Sequence, residues 1–394
     1  MNIVTLFLVF LFVLGHTKAQ STSDRFEINK NLPVYYDRMK SLLTYPMSWQ
    51  SQKNKDFDVW KKQAREILFE CMDIVQPAPD DYDMKVIDSE QREGYRALKI
   101  EFNISKWSRV PAYLLVPDGE GVFPSVVMLH DHGAHFLIGK EKMIRPFNVD
   151  REIVSDADLW ALKCYDGRYV GDYFAMNGYV VLSVDALFWG DRGCKEGIDY
   201  DRQQALASNF MQMGASWGAY INMDDMRSVE FLASLPFVDS DRIGCLGFSM
   251  GAYRSWMLSS MTDMVKVSAS VCWMNTTDCL MTVDNNQNKG GSAYSMLLPR
   301  IRKYLDYPHV ASIACPKPSL FFNGSQDKLF PVEGVTDAYR QMKEVWDSVG
   351  ASDKLVTKMW DEKHFFNKKM QEEVLDFFNK WLKPEWLLSS GFNC

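Results

Sequence analysis

The run Gly247-Phe248-Ser249-Met250-Gly251 sets a serine between two glycines at the end of a short apolar stretch. In a G-x-S-x-G turn the serine projects from a sharp bend between a strand and a helix, and small flanking residues let the two elements close on each other. The context here fits: IGCLGF reads as a buried strand ending at the serine, and AYRSWMLSS as the helix that follows. A serine hydroxyl attacks a carbonyl only when a base removes its proton, and the base needs an acid to fix its tautomer. When such a turn sits on an α/β sheet, acid and base follow the serine in that order, each on a loop after a later strand. PSLFFNG is a further strand, and its loop Asn323-Gly324-Ser325-Gln326-Asp327 offers Asp327 as the acid. Glu333, the nearest rival, falls in the first turn of a helix, where a carboxylate complements the dipole. Of the six histidines only His309 and His364 follow the serine, and His309 precedes the acid. His364, in MWDEKHFF between the strand-like LVTKMW and a closing helix, is therefore the base.

The developing oxyanion needs backbone donors. The first is the N–H of Met250, and the second comes from the loop after the first core strand, His130-Asp131-His132-Gly133-Ala134-His135. By position His132 is the choice there, with Asp131 as fallback. The same string can be read as a metal site, since clustered His and Asp also hold hydrolytic metals. That alternative needs distant ligands and leaves Ser249 unexplained. The serine reading requires no cofactor and no metal, and it leaves His135 to line the site or pack locally.

The elements that must position these residues alternate between short apolar runs and amphipathic stretches. The runs are PSVVMLH, YVVLSVDAL, RIGCLGFS, VKVSASVCWM and PSLFFNG, with helical patterns between them at 224–235 and 332–349. Continuous apolar strands alternating with helices predict an α/β fold, a mostly parallel sheet covered on both faces. Before them, 20–90 reads as a helical extension with an amphipathic stretch over 59–72, and 91–394 as the catalytic domain. Two stretches, 191–222 and 275–308, break the rhythm and are predicted to be insertions near the site, since long connections are usually lids or binding loops.

The chain has 394 residues, 47% hydrophobic and 24% charged, with a net charge of −7. That composition is globular, and it offers no basic surplus for a nucleic-acid backbone. Residues 1–19 carry an apolar run too short to span a bilayer comfortably, followed by small and polar residues. They are predicted to be an export signal cut after Ala19, with an uncleaved anchor as the alternative, since no Lys or Arg precedes the run. The mature chain has no other apolar stretch of membrane length, so a periplasmic or extracellular protein is expected. The eight cysteines form no metal-type pair. Cys272 and Cys279 are the nearest two in sequence, and buried free thiols are the expectation.

GFSMGAYRSW, NGSQDKLFP, KHFF and LHDHGAH together resemble the dienelactone-hydrolase-like branch of the α/β hydrolases. Within that branch the chain is most similar to the exported acetyl xylan esterase-like proteins of gut Bacteroidetes, also called SusD/RagB-associated esterase-like proteins. The resemblance runs over 24–382 and includes GDYFAMNGYVVLSVDALFWGDRG. It implies an α/β-hydrolase fold and a serine esterase acting on acylated plant polysaccharide or its fragments. Dienelactone hydrolases themselves use Cys as nucleophile, and Ser249 argues against that narrow activity. Trp189, Asp191 and Arg192, just past a strand's C-terminal edge, stand where open α/β sheets bind ligands. They could supply a stacking face and hydrogen bonds to a sugar, or simply brace their own loop; Trp273 and Tyr294 are weaker candidates. Two rivals remain: a serine peptidase on the same fold, and a non-catalytic carbohydrate-binding protein on a hydrolase scaffold.

Overall fold

The computed structural model describes residues 26–52, 56–73, 76–288 and 290–383. The expected export signal at 1–19, and Cys394, lie outside the described residues. The main sheet has nine strands: β1 (Lys85–Arg92), β2 (Tyr95–Ser105), β3 (Ser108–Pro117), β4 (Phe123–Leu129), β5 (Val180–Val184), β6 (Val238–Phe248), β7 (Val265–Val271), β8 (Ser319–Gly324) and β9 (Leu355–Trp360). Their spatial order is β9-β8-β7-β6-β4-β5-β3-β2-β1. Strands β9 to β5 are mutually parallel, and β3, β2 and β1 continue the sheet antiparallel.

The helices of seven residues or more are α1 (Phe57–Met72), α2 (Arg151–Tyr165), α3 (Val170–Met176), α4 (Tyr200–Gln212), α5 (Trp217–Ala233), α6 (Met250–Met261), α7 (Val332–Ser348) and α8 (Lys368–Leu382). Helices α2, α3 and α8 cover one face of the sheet; α5, α6 and α7 cover the other. Strand β4 shows why a continuous apolar run suits this place. Val126 and Met128 enter the core on one face, while Val127 and Leu129 enter it on the other, so both sets of alternate side chains are buried. The chain leaves β4 for β5 on one side and later fills β6 on the other. The C-terminal ends of β4 and β6 thus flank the crevice where α/β sheets place their ligands.

Every strand expected from the apolar runs is present, with ends shifted by a few residues. The expected boundary at residue 90, however, falls inside β1, which pairs with β2 from Lys85 to Arg92. This edge strand is largely solvent-exposed and carries charged side chains, so no apolar alternation announces it. Stretch 191–222 is more ordered than an irregular loop: it contains α4, and α5 begins at Trp217 rather than near residue 224. The cysteines among the described residues are free thiols, and no helix there is long and apolar enough to cross a membrane.

The extension before β1 is part of the core. Asp56 caps α1 by accepting from the N–H groups of Asp58 and Val59. Trp60, Ala64 and Leu68, spaced four apart, are fully buried on one stripe of the helix. Arg65 then ties the helix down through a two-pronged contact with Asp263 at 2.9 and 2.8 Å. Trp60→Ala is therefore expected to cost about 3–5 kcal/mol, read as a lower denaturant midpoint for the whole protein. A separate early transition with the main transition unmoved would show the extension to be an independent unit.

Candidate active site

Strand β6 ends at Phe248, and α6 starts at Met250, leaving Ser249 to make the bend alone. Its backbone adopts φ +56°, ψ −121°, a region non-glycine residues seldom occupy. The flanking glycines permit the bend for a measurable reason. A Cβ at Gly247 would stand 2.0 Å from the Gly251 carbonyl oxygen, and one at Gly251 would stand 1.8 Å from the Leu129 carbonyl oxygen. The bend is further held by the Ser249 N–H, which donates to Val271 O at 2.8 Å across to β7.

The Ser249 hydroxyl lies 2.9 Å from His364 Nε2, and His364 Nδ1 lies 2.6 Å from Asp327 Oδ2. With Asp327 ionised, Nδ1 carries the proton and Nε2 is left to accept from the serine. The other Asp327 oxygen accepts from the Leu329 N–H at 2.9 Å, which fixes the carboxylate's rotation. The acid and base loops are sewn together: Ser325 N–H donates to Trp360 O, and Gln326 N–H to Glu362 O. Phe248 and Phe330 flank the imidazole, with ring centroids at 4.8 and 6.1 Å. Asp327 is fully buried while about a quarter of the His364 side chain remains accessible, so the base opens outward and the acid does not.

Cys272, at φ +60°, is buried beside this pair, its sulfur within 4.8 Å of ligating atoms of both Asp327 and His364. Burial first, then the Asp327 charge, pushes its thiol far above the usual range. Among the described residues these three form the one group of ligating side chains close enough together to hold a metal. The HDHGAH side chains instead go to separate partners. His130 is buried, with Nδ1 at 2.8 Å from Asp131 O and Nε2 accepting from the Ala186 N–H at 2.9 Å. Burial, followed by Arg254 and Lys142, holds its pKa well below the usual histidine value. Asp131 accepts from the Trp160 indole and the Tyr165 hydroxyl, and His135 pairs with Asp156. The His132 carbonyl accepts from the Trp189 indole and from Lys142 Nζ, both at 3.1 Å, while its ring stacks on Tyr200. The loop is thus pinned at successive residues above the N-terminus of α6, where the Met250 N–H has no acceptor within its own helix.

The pocket expectations need correction. Trp189 is fully buried and stacks on Trp217 at 5.3 Å, so its face is closed to a sugar. Arg192 does not pair with Asp191. It reaches Asp224 at 2.7 Å and the Asp185 carbonyl at 3.1 Å, and its side chain is buried. Asp191 does remain exposed, with one oxygen 2.6 Å from Lys140 Nζ. Trp273 is also buried, whereas Tyr294 is exposed.

Sequence reasoning missed the buried cations that hold these loops. Lys140 lies within 2.9 Å of Asp185, Glu141 and Asp191. Burial would strip its proton, but the three carboxylates outweigh that and hold its pKa well above normal. Arg254 forks onto Asp225 at 2.9 and 2.6 Å. Arg254 was visible in the nucleophile motif, but its partner lies 29 residues upstream and no local pattern names it.

A model of the Abhydrolase family matches residues 34–371. The chain belongs to the abhydrolase family. This abhydrolase is 26% identical over 324 residues to the Bacillus subtilis (strain 168) protein called "Putative hydrolase YtaP", covering 82% of this chain and 100% of that one. Among solved structures it resembles a "putative acetyl xylan esterase" from Bacteroides fragilis NCTC 9343, with TM-score 0.62, 19% identity, and 90% and 93% of the two chains covered. A glucuronoyl esterase from Solibacter usitatus gives TM-score 0.60 at 12% identity, covering 84% and 95%. At these identities the structural likenesses speak for the fold.

Gly251→Ala is expected to destabilise the abhydrolase by about 4 kcal/mol or more, because its Cβ would meet backbone that no side-chain rotation can move. A denaturant midpoint close to wild type would contradict the close approach described here.

Proposed function

We propose that this abhydrolase is an exported serine carboxylic-ester hydrolase that removes acetyl or similar acyl groups from plant polysaccharide fragments. The observation that carries the reading is the unbroken line from Asp327 through His364 to the Ser249 hydroxyl, with steps of 2.6 and 2.9 Å. His364 Nε2 takes the Ser249 proton as the oxygen attacks the acyl carbon. The resulting oxyanion is held by the Met250 N–H at the positive end of α6 and by an N–H of the pinned loop, that of His132 or of Asp131. Asp327 keeps the imidazole in the required tautomer and stabilises its charged form. His364 then gives the proton to the leaving sugar oxygen, and the carbonyl re-forms as an acyl-serine. Water, deprotonated by the same histidine, releases the acid and restores the serine.

The substrate class draws support from the resemblance to acetyl xylan esterase-like proteins and from the names of the similar structures. Export draws support from the composition of residues 1–19. Of the three pocket candidates, the exposed Asp191 is the one left to meet a substrate hydroxyl.

The test is 4-nitrophenyl acetate hydrolysis by the protein from Ser21 onward, run beside Ser249→Ala and with EDTA in parallel. Turnover should fall at least about 10³-fold in the variant and be indifferent to EDTA. Activity that survives Ser249→Ala but disappears with EDTA would overturn the serine mechanism.

A further inference from the structure

Lys142 closes the short turn Lys140–Lys142, and its side chain is 0% exposed, with the Trp160 ring centre 5.5 Å from Nζ. Lys140, Arg192 and Arg254 each sit within 2.7 Å of a carboxylate oxygen. Lys142 does not: among the described residues its nearest carboxylate oxygen, Asp131 Oδ1, stands 3.7 Å away. Its amine instead donates to two successive backbone carbonyls, Asp131 O and His132 O, at 3.1 Å each. Burying an amine of this kind without a close counter-charge is costly, so what it holds in place calls for a reason.

The reason lies in the direction of two peptides. A trans peptide points its N–H opposite to its C=O, and the peptides of this loop are trans. The His130 carbonyl faces α6: Arg254 Nη1 donates to it at 3.4 Å, and it would stand 3.0 Å from a Cβ on Gly251. The Asp131 N–H, on that same peptide, therefore points away from α6. The next peptide is turned the other way. Its carbonyl, Asp131 O, is drawn to Lys142 on the side of α2, where Trp160 and Tyr165 hold the Asp131 carboxylate. The His132 N–H is thereby directed toward the side of α6 and Ser249. Other donors assist at single carbonyls. His130 accepts from Ala186 at Nε2, so its Nδ1 carries the proton and donates to Asp131 O at 2.8 Å. The Trp189 indole and the Ala134 N–H donate to His132 O. Among the described residues Lys142 is the one side chain that bonds both carbonyls, so it fixes the two peptides relative to each other.

We infer that Lys142 is a positioning residue for the oxyanion: it holds the Asp131 and His132 carbonyls so that the His132 N–H, and not that of Asp131, joins the Met250 N–H at the attacked carbonyl. The assignment rests on the serine-esterase reading. Donation to the carbonyl end of a peptide also polarises the chain of hydrogen bonds it belongs to, which makes the N–H end a stronger donor. Lys142 acts only through the loop and exchanges no proton with the substrate.

The experiment compares the protein from Ser21 onward with two variants. Lys142→Met keeps an unbranched side chain and loses its donors; Tyr165→Phe keeps the ring and loses one bond to Asp131. Turnover of 4-nitrophenyl acetate is read beside inhibition by phenylboronic acid, whose tetrahedral serine adduct places an oxygen where the oxyanion forms. In Lys142→Met, kcat should fall about 10- to 100-fold, short of the effect of deleting a donor outright, with KM held within about twofold. The boronate Ki should rise in proportion. Tyr165→Phe should move both readings the same way by about threefold or more, the worth of one hydrogen bond, and it decides the matter if Lys142→Met does not fold. A lysine that only props the fold would lower the denaturant midpoint and leave the boronate Ki of the folded protein unmoved. That result would overturn the positioning role while the esterase reading stands, whereas a wild-type protein without turnover would overturn both.

Discussion

At the centre of the molecule, two backbone segments pass so close that no side chain can stand between them. Gly251, in the first turn of α6, lies against the carbonyl of Leu129 at the end of β4, and Gly247 lies against Gly251 itself. These contacts force Ser249 into its left-handed conformation and set its hydroxyl at the open end of the sheet. They also bring the loop after β4 over the start of α6, where the first N–H groups of the helix are free to meet an anion. The parallel strands around β6 are what make the position stiff enough to hold the strain, because Ser249 is itself bonded into β7.

Around this point the protein uses buried charge as fixing hardware. Lys140 joins the loop after β4 to the loop after β5 through Asp185 and Asp191. Arg192 joins the same loop to α5 through Asp224, and Arg254 joins α6 to α5 through Asp225. Such pairs add little net stability, since desolvation cancels much of the attraction, but losing one partner leaves a charge stranded at a cost of about 3–5 kcal/mol. That asymmetry makes them effective at specifying one loop arrangement. Asp185 carries the strain of it: burial raises its pKa despite the adjacent Lys140, and Gly139 and Gly190 leave the space its carboxylate fills.

How much of this could be read in advance depends on how local each determinant is. Ser249, its glycines and the order of Asp327 and His364 follow from constraints that act within a few residues of one strand end, and the structure brings the three together. The buried strands announce themselves because both faces must be apolar. Strand β1 does not, since its exposed edge is free to carry charge. Between the two readings open for Trp189, a sugar-stacking face or a packed brace, the choice is made by Trp217, on the helix that begins inside the first insertion. Lys140 was overlooked because its partners at 185 and 191 are assembled only by the crossover from β4 to β5. Long-range electrostatics leaves no period in a sequence.

The central claim is that strain at Ser249, an outward-facing His364 and an inward-facing Asp327 together make one hydroxyl nucleophilic. The most direct measurement is intact-mass and peptide mapping after exposure of the folded protein to a fluorophosphonate, which transfers its phosphonyl group to an activated serine with loss of fluoride. The account predicts a single adduct, located on Ser249 and abolished by His364→Ala. A folded protein that takes no label, or carries it on another residue, would contradict it.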